Sequence, residues 1–410
     1  MNNTPELLSP AGDLDKMRFG IAYGADAVYM GGTRFGMRAA ATNFDDNALR
    51  EGIAYAHAHD VKCYITVNIM PSNRDLPALP AYLELLQDAG ADALIIADVG
   101  VLRMARRYAP RVPVHISTQT SILNHEAANY WADEGAERIV LARELSLEEI
   151  AEIRAKTPKE LEIEAFVHGA MCISYSGRCL ISQYMTGRDA NHGACAQPCR
   201  WNYSLMEEKR PGQFFPVEED GRGTYLYNSK DMCMIEHVPE LIEAGITSFK
   251  IEGRNKTAYY AACVTGAYRA AIDTYKKDPE NFVLPQFCRD EVNKVSHREY
   301  YTGFYFGNQE NGQHYGDSQY IREYEVVGMP VECDDSGKAV FALKNRFFDG
   351  EELELIQPGQ APYVFRAENV TDDERTKREL FNVPQMRVHF AFPFKVSEWA
   401  ILRKAKERPE

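Results

Sequence analysis

A phrase that returns four times constrains the fold most. "GADAVYMGG" begins at Gly24, "GADALIIAD" at Gly90, "GAERIVLAR" at Gly135 and "GITSFKIEGR" at Gly245. Each glycine closes a stretch with helical spacing, such as "LPAYLELLQDAG", and precedes a short apolar run. A glycine in that place caps the helix in the left-handed conformation, and the run behind it is a buried strand. Helix, glycine and strand in repetition build a parallel sheet covered by helices.

Runs of this kind begin at Glu6, Ala27, Lys62, Ala93, Val112, Arg138, Leu161 and Ser248. Eight of them predict an α/β fold, a (β/α)8 TIM-like barrel over residues 1–278. An open doubly wound sheet is the alternative, but no Gly-x-Gly-x-x-Gly follows the first run. The last barrel helix is expected in "KTAYYAACVTGAYRAAIDTYKK", where Tyr260, Cys263, Val264, Ala267, Tyr268, Ala271, Ile272 and Tyr275 share one face. The rhythm breaks over 170–245, a cysteine-rich insertion. A long insertion is usually functional, and in a barrel this one emerges at the C-terminal face. Residues 279–320 read as a lid or linker. Residues 321–410 read as a small C-terminal β-barrel domain, with a hairpin turn at Asp334–Lys338.

The 410 residues, 45% of them hydrophobic, suffice for both units. A net charge of −14 argues against a surface coated for nucleic acid, yet it leaves room for a local basic patch, Arg178, Arg188, Arg200, Lys209 and Arg210 in the insertion, which Glu207, Glu208, Glu218, Glu219 and Asp220 limit. There is no apolar run of transmembrane length, and the opening "MNNTPELLSPAGD" has neither a basic region nor an apolar signal core. No membrane partner and a cytoplasmic location are therefore expected. Thiols there stay reduced. Clustered cysteines then read as metal or redox ligands, and the isolated Cys63, Cys263, Cys288 and Cys333 as small core residues.

The cluster is Cys172-x6-Cys179-x15-Cys195-x3-Cys199, with Cys233 further on in "NSKDMC". Thiolates suit zinc and iron–sulfur clusters, but this spacing matches neither a zinc knuckle nor a ferredoxin pattern. Polar residues at the C-terminal ends of barrel strands are functional candidates. Here they are Asn68, Thr118, Gln119, Arg143, His168, Glu252 and Arg254, with Arg178 between two cysteines. Arginine forks grip carboxylates, and Glu252 can orient Arg254 or move a proton. Each reads equally well as half of a rim salt bridge. Tyr175, Tyr184, Tyr301, Phe304 and Tyr305 offer rings for stacking on a base or for packing a lid. Protease signatures are missing: there is no Gly-x-Ser-x-Gly, no His-Glu-x-x-His and no evident Cys–His–Asn set.

"EAFVHGAMCISYSGRCLIS", from Glu164, resembles the signature of the U32 family, long labelled peptidases or collagenases. Glu164, Phe166, Gly169, Ala170, Met171, Cys172, Gly177, Cys179 and Ser182 carry the match, together with "ELLSPAGD", "NSKDMC" and "FKIEGRNKTAYYAACVTGAYRAAID". The resemblance implies a barrel followed by a small β domain. It also implies one of two activities. The first is oxygen-independent RNA hydroxylation, with prephenate as hydroxyl donor and a [4Fe-4S] cluster held by four cysteines. The second is metal- or thiol-dependent, collagenase-like proteolysis, for which zinc would be the metal. The chain is most similar to the branch that acts on the wobble uridine of tRNA. Carried onto this sequence, the cluster ligands are Cys172, Cys179, Cys195 and Cys233, with Cys199 as the alternative to Cys233. Arg254, Glu252, Arg143, Arg178 and His168 form the expected catalytic set. Expected partners are tRNA, a dianionic donor and a possible second U32-type chain.

Overall fold

A computed structural model of the chain describes residues 4–37, 43–171, 179–200, 204–205, 215–216, 230–307 and 320–406. Seven parallel strands come first: β1 (Glu6–Ala11), β2 (Ala27–Gly31), β3 (Lys62–Val67), β4 (Ala93–Ile96), β5 (Val114–Ile116), β6 (Arg138–Val140) and β7 (Glu162–Ala170). Each pairs with the next. Three short strands follow, β8 (Ser204–Leu205), β9 (Phe215–Pro216) and β10 (Asp231–Cys233). Strand β11 (Ser248–Ile251) then pairs with β7 on one side and β1 on the other, which closes the eight-stranded parallel barrel. The eight runs read from the sequence are these eight strands.

Helices α1 (Leu14–Ala22), α2 (Asp46–His57), α3 (Leu79–Asp88), α4 (Val99–Tyr108), α5 (His125–Asp133) and α6 (Leu147–Ala155) fill the connections between β1 and β7. Short polar caps start five of these six. Asp13, Asp45, Asp98, Asn124 and Ser146 each accept a first-turn amide, the bond that an orphan helix N-terminus lacks. Gly24, Gly90, Gly135 and Gly245 sit at φ between +74° and +99°, the left-handed geometry expected of the repeated phrase.

The insertion carries α7 (Ile181–Thr186), but it ends sooner than the sequence suggests. Strand β10 turns back antiparallel on the tip of β7, and α8 (Val238–Glu243) is the barrel's own short seventh helix. The barrel closes with α9 (Ala258–Lys277), which buries the expected face except for the half-buried Tyr275. The stretch read as a lid or linker also differs from expectation. It contains α10 (Gln286–Asn293), which buries Cys288, Glu291 and Val292, and β12 (Tyr300–Tyr301), which pairs with β10.

The lumen is charged at its lower end. Arg138 holds Glu6 at 2.6 Å, Glu162 at 2.5 Å and Glu164 at 3.0 Å, and Lys250 holds Glu164 at 2.6 Å. Burial alone would raise the Glu6 carboxyl; Arg138 beside it holds it below the usual carboxylate range instead. Above this layer pack Leu8, Ala27, Tyr29, Tyr64, Ala93 and Ile95. The floor is thus filled, and only the upper mouth is open to a substrate.

The C-terminal unit is an antiparallel half-barrel with a core of its own around Val327, Phe341, Phe347, Leu353, Phe381 and Phe390. Its strands are β13 (Tyr324–Cys333), β14 (Lys338–Leu343), β15 (Phe347–Phe348), β16 (Glu352–Ile356), β17 (Tyr363–Arg366), β18 (Thr371–Asp372), β19 (Leu380–Phe381), β20 (Arg387–Ala391) and β21 (Ile401–Ala405). Seven of them form one sheet in the order β17-β16-β21-β13-β14-β20-β18. The β13–β14 turn falls at Asp334–Lys338, where Asp334 Oδ1 accepts the amides of Ser336 and Lys338. Cys63, Cys263 and Cys288 are core residues as expected, but Cys333, at the end of β13, is exposed. No helix among the described residues is long and apolar enough to cross a membrane.

Candidate active site

The ends of β6, β7 and β11 bring three of the expected residues together. Arg143 lies just beyond β6, with Nη1 donating to the Ala170 carbonyl at 2.9 Å and Nη2 3.5 Å from Glu252. Its guanidinium stacks 3.9 Å from the Phe166 ring centre, and its Nε is buried without a partner among the described residues. Glu252 is aimed at Arg143 rather than at Arg254.

Arg254 is buried over the lumen. Its Nη1 donates to Thr66 Oγ1 at 3.2 Å, and its guanidinium lies 5.8 Å from the Tyr29 ring. Two glycines make room for it. A Cβ on Gly31 would overlap Arg254 Nη1 and stand 2.8 Å from Thr66 Oγ1, and one on Gly12 would overlap the Arg254 carbonyl. Gly31→Ala should therefore displace the arginine while leaving β2 paired. The expected result is a folded protein, with its melting temperature lowered by only a few degrees, whose activity falls with that of Arg254→Ala.

Asn68 and Gln119 form a second polar group at the mouth. Asn68 Nδ2 donates to Gln119 Oε1 at 3.0 Å, and Gln119 Nε2 returns a bond to the Asn68 carbonyl at 2.8 Å. Thr118 is turned away and donates to the Leu141 carbonyl at 3.0 Å. His168 is placed differently from the expectation of a catalytic group. It is 1% exposed and wedged among Tyr260, Tyr268 and Tyr300, with Nε2 3.2 Å from the Tyr300 hydroxyl. Burial pulls its pKa to about 3, which favours the neutral ring in this tyrosine-lined wall.

Beside Glu252 opens a cleft of about 750 Å³, between the barrel mouth, the insertion, the start of α9 and the half-barrel. Ala170, Cys195, Cys199, Glu252, Lys256 and Tyr324 are among its lining residues. Gly253 and Asn255, on either side of Arg254, also line it.

The model of the peptidase family U32 matches residues 12–315, and that of the U32 C-terminal domain matches 322–403. The chain belongs to the peptidase U32 family. It is 38% identical over 404 residues to tRNA hydroxylation protein P1 of Bacillus subtilis, covering 98% of this chain and 95% of that one. It is 38% identical over 402 residues to tRNA hydroxylation protein P of Escherichia coli, covering 86% of each. The 23S rRNA 5-hydroxycytidine C2501 synthase of E. coli is 40% identical over 332 residues, covering 80% of this chain and 48% of that protein.

In this U32 chain the cysteines fall at three levels. Cys195 and Cys199 are half-buried on the cleft wall, and Cys195 Sγ accepts the Gln197 amide at 3.3 Å. Cys179, just before α7, is also half-buried. Cys233 sits opposite His168 in the β10–β7 ladder, beside the Tyr268 hydroxyl, and burial pushes its thiol up to about 12. Cys172 and Arg178 lie outside the described residues. Among the described residues no three Cys, His, Asp or Glu side chains are gathered closely enough to hold one ion. The donor set is nonetheless chemically consistent with an iron–sulfur group: Cys195 and Cys199 both line the cleft, and a thiol held up by burial ionises when a metal takes the proton's place. Sequence reasoning missed Lys256 and the buried Arg138–Glu164–Lys250 network. For Lys256 the signal was present, two residues after Arg254 in "EGRNK".

Proposed function

We propose that this chain is an RNA hydroxylase acting on the wobble uridine of tRNA in the cytoplasm, with prephenate as hydroxyl donor and an iron–sulfur cluster at the barrel mouth. The observation that carries this reading is one cleft at the C-terminal face. Two cysteines and Glu252 line it, Arg254 stands beside it, and the chain matches proteins named for tRNA hydroxylation along almost its whole length. Cys172, Cys179, Cys195 and Cys233 would hold the cluster, which would supply the electron chemistry. Arg143, Arg254 and Arg178, the last outside the described residues, are the arginines assigned here to pairing with a dianionic donor. A dianion entering a half-closed mouth loses hydration, and a guanidinium fork restores two hydrogen bonds per carboxylate. Glu252 holds the Arg143 fork at the rim, and Phe166 supports its flat face. The donor therefore meets a positioned cation.

Iron content tests the ligand set without reference to turnover. Protein purified without oxygen should absorb broadly near roughly 400 nm and carry about four irons per chain. Cys172→Ser, Cys179→Ser, Cys195→Ser and Cys233→Ser should each strip most of the iron, and Cys199→Ser should keep it. Loss of iron in Cys199→Ser with retention in Cys233→Ser would assign the fourth position to Cys199.

A further inference from the structure

The acidic balance of the chain makes any unneutralised cluster of cations conspicuous. One lies on the half-barrel, at the end where β14 and β21 finish. There a groove of about 680 Å³ is lined by Lys344, Asn345, Arg346, Asn382, Lys404 and Lys406 among others. Lys404 is neutralised, 2.8 Å from Glu351 and 3.9 Å from Glu325, the one acidic residue of the lining. Lys344, Arg346 and Lys406 are different. All three are exposed, and none has a carboxylate partner among the described residues.

The groove is also continuous with the candidate active site, because Lys344 lines both this groove and the cleft at the barrel mouth. On the cleft side Arg322 and Lys256 follow, both against the Tyr320 ring at 5.6 and 4.5 Å, with Lys256 also 3.9 Å from Asp231. The arrangement is a row of cations leading to aromatic rings at a reaction mouth. It matches what an RNA strand needs, phosphates along the groove and bases at the rings. The asparagines between the cations add neutral hydrogen-bond donors suited to phosphate and sugar oxygens.

We infer that the groove bounded by Lys344, Arg346 and Lys406 carries the phosphate backbone of the RNA substrate and feeds it into the barrel mouth. This rests on the reading of the chain as an RNA hydroxylase. The half-barrel is then a substrate-binding module of the enzyme, a local positive groove on a chain whose net charge is −14.

The test is a triple reversal, Lys344→Glu, Arg346→Glu and Lys406→Glu, in the full chain with its metal retained. Binding of total tRNA is measured by fluorescence anisotropy at several salt concentrations. A control reversal of equal net charge, Arg50→Glu, Lys62→Glu and Lys159→Glu, uses exposed residues of the barrel that do not line the groove. A neutral triple, with glutamine at the three groove positions, guards against a folding defect introduced by the new carboxylates. The expected result is a loss of affinity of roughly tenfold or more for both groove variants. The slope of log affinity against log salt should also shrink by about 2, since each lost phosphate contact removes about 0.7. The control should bind as the unmodified chain does. Equal affinity and equal slope for all proteins would overturn the groove and leave the hydroxylase reading standing. Absence of tRNA binding by the unmodified chain would overturn both.

Discussion

Replacing Arg403 with alanine should destabilise the protein by about 3–5 kcal/mol, the cost typical of orphaning a buried charge partner. Arg403, on β21, is fully buried where the half-barrel meets the barrel. Its Nη1 donates to Glu291 Oε2 at 2.6 Å and its Nε to Glu354 Oε2 at 2.8 Å; Nη2 also reaches Glu291. Glu291 belongs to α10 and Glu354 to β16, so one guanidinium ties together the two units. Truncation leaves two buried carboxylates without their guanidinium. Lys294, 2.9 Å from Glu354 and 3.8 Å from Glu291, softens the loss for Glu354 more than for Glu291. Thermal and urea unfolding followed by circular dichroism would read the change. Acid should mimic part of it. Burial would raise the Glu354 carboxyl, but Arg403 and Lys294 outweigh that and hold it below its usual 4.5. A carboxyl lowered by folding contributes stability that is present above pH 4.5 and lost as pH falls through its folded value. The variant should therefore lose less stability than the parent between neutral pH and that window.

The second large effect concerns Arg254. Arg254→Ala should lower hydroxylation by roughly 100-fold or more, the scale at which removing one charged group that positions a reactant is usually felt. Iron content should stay at the level of the parent. Arg254→Lys keeps the charge but lacks the fork that reaches Thr66 while still facing the mouth, so it should recover only part of the activity. A fully active Arg254→Ala protein would remove the residue from the mechanism. Gly31→Ala is the companion test, because it moves the same guanidinium without changing its chemistry.

The barrel was legible because its strands are buried on both sides, which makes most of them largely apolar runs, and because Gly24, Gly90, Gly135 and Gly245 mark four helix ends with positive φ. Helix α10 was not. It is short, follows Pro285, and buries Glu291 as part of its inner face, so its pattern resembles a solvated linker. The Arg138–Glu164–Lys250 network was hidden for a similar reason. Its members come from β6, β7 and β11, and only barrel closure brings them into one layer. At the mouth, the arginines and Glu252 were visible as polar residues at strand ends. That rule also selected His168 and Thr118, whose side chains turn into the wall. Which way a strand-end side chain points depends on neighbours distant in sequence, here Tyr260, Tyr268 and Tyr300 around His168. The basic groove escaped notice because its lysines and arginine are spread over two strand ends in a chain that is acidic overall.

The central claim is tested most directly by nucleoside mass spectrometry of tRNA from cells that lack their own tRNA hydroxylation proteins and carry this chain instead. The account predicts that hydroxylated uridine returns with the unmodified chain, and that it fails to return with Arg254→Ala or with Cys195→Ser. Complemented cells with no hydroxylated uridine, together with cleavage of gelatin by the purified protein, would contradict it and assign the cleft to peptide hydrolysis.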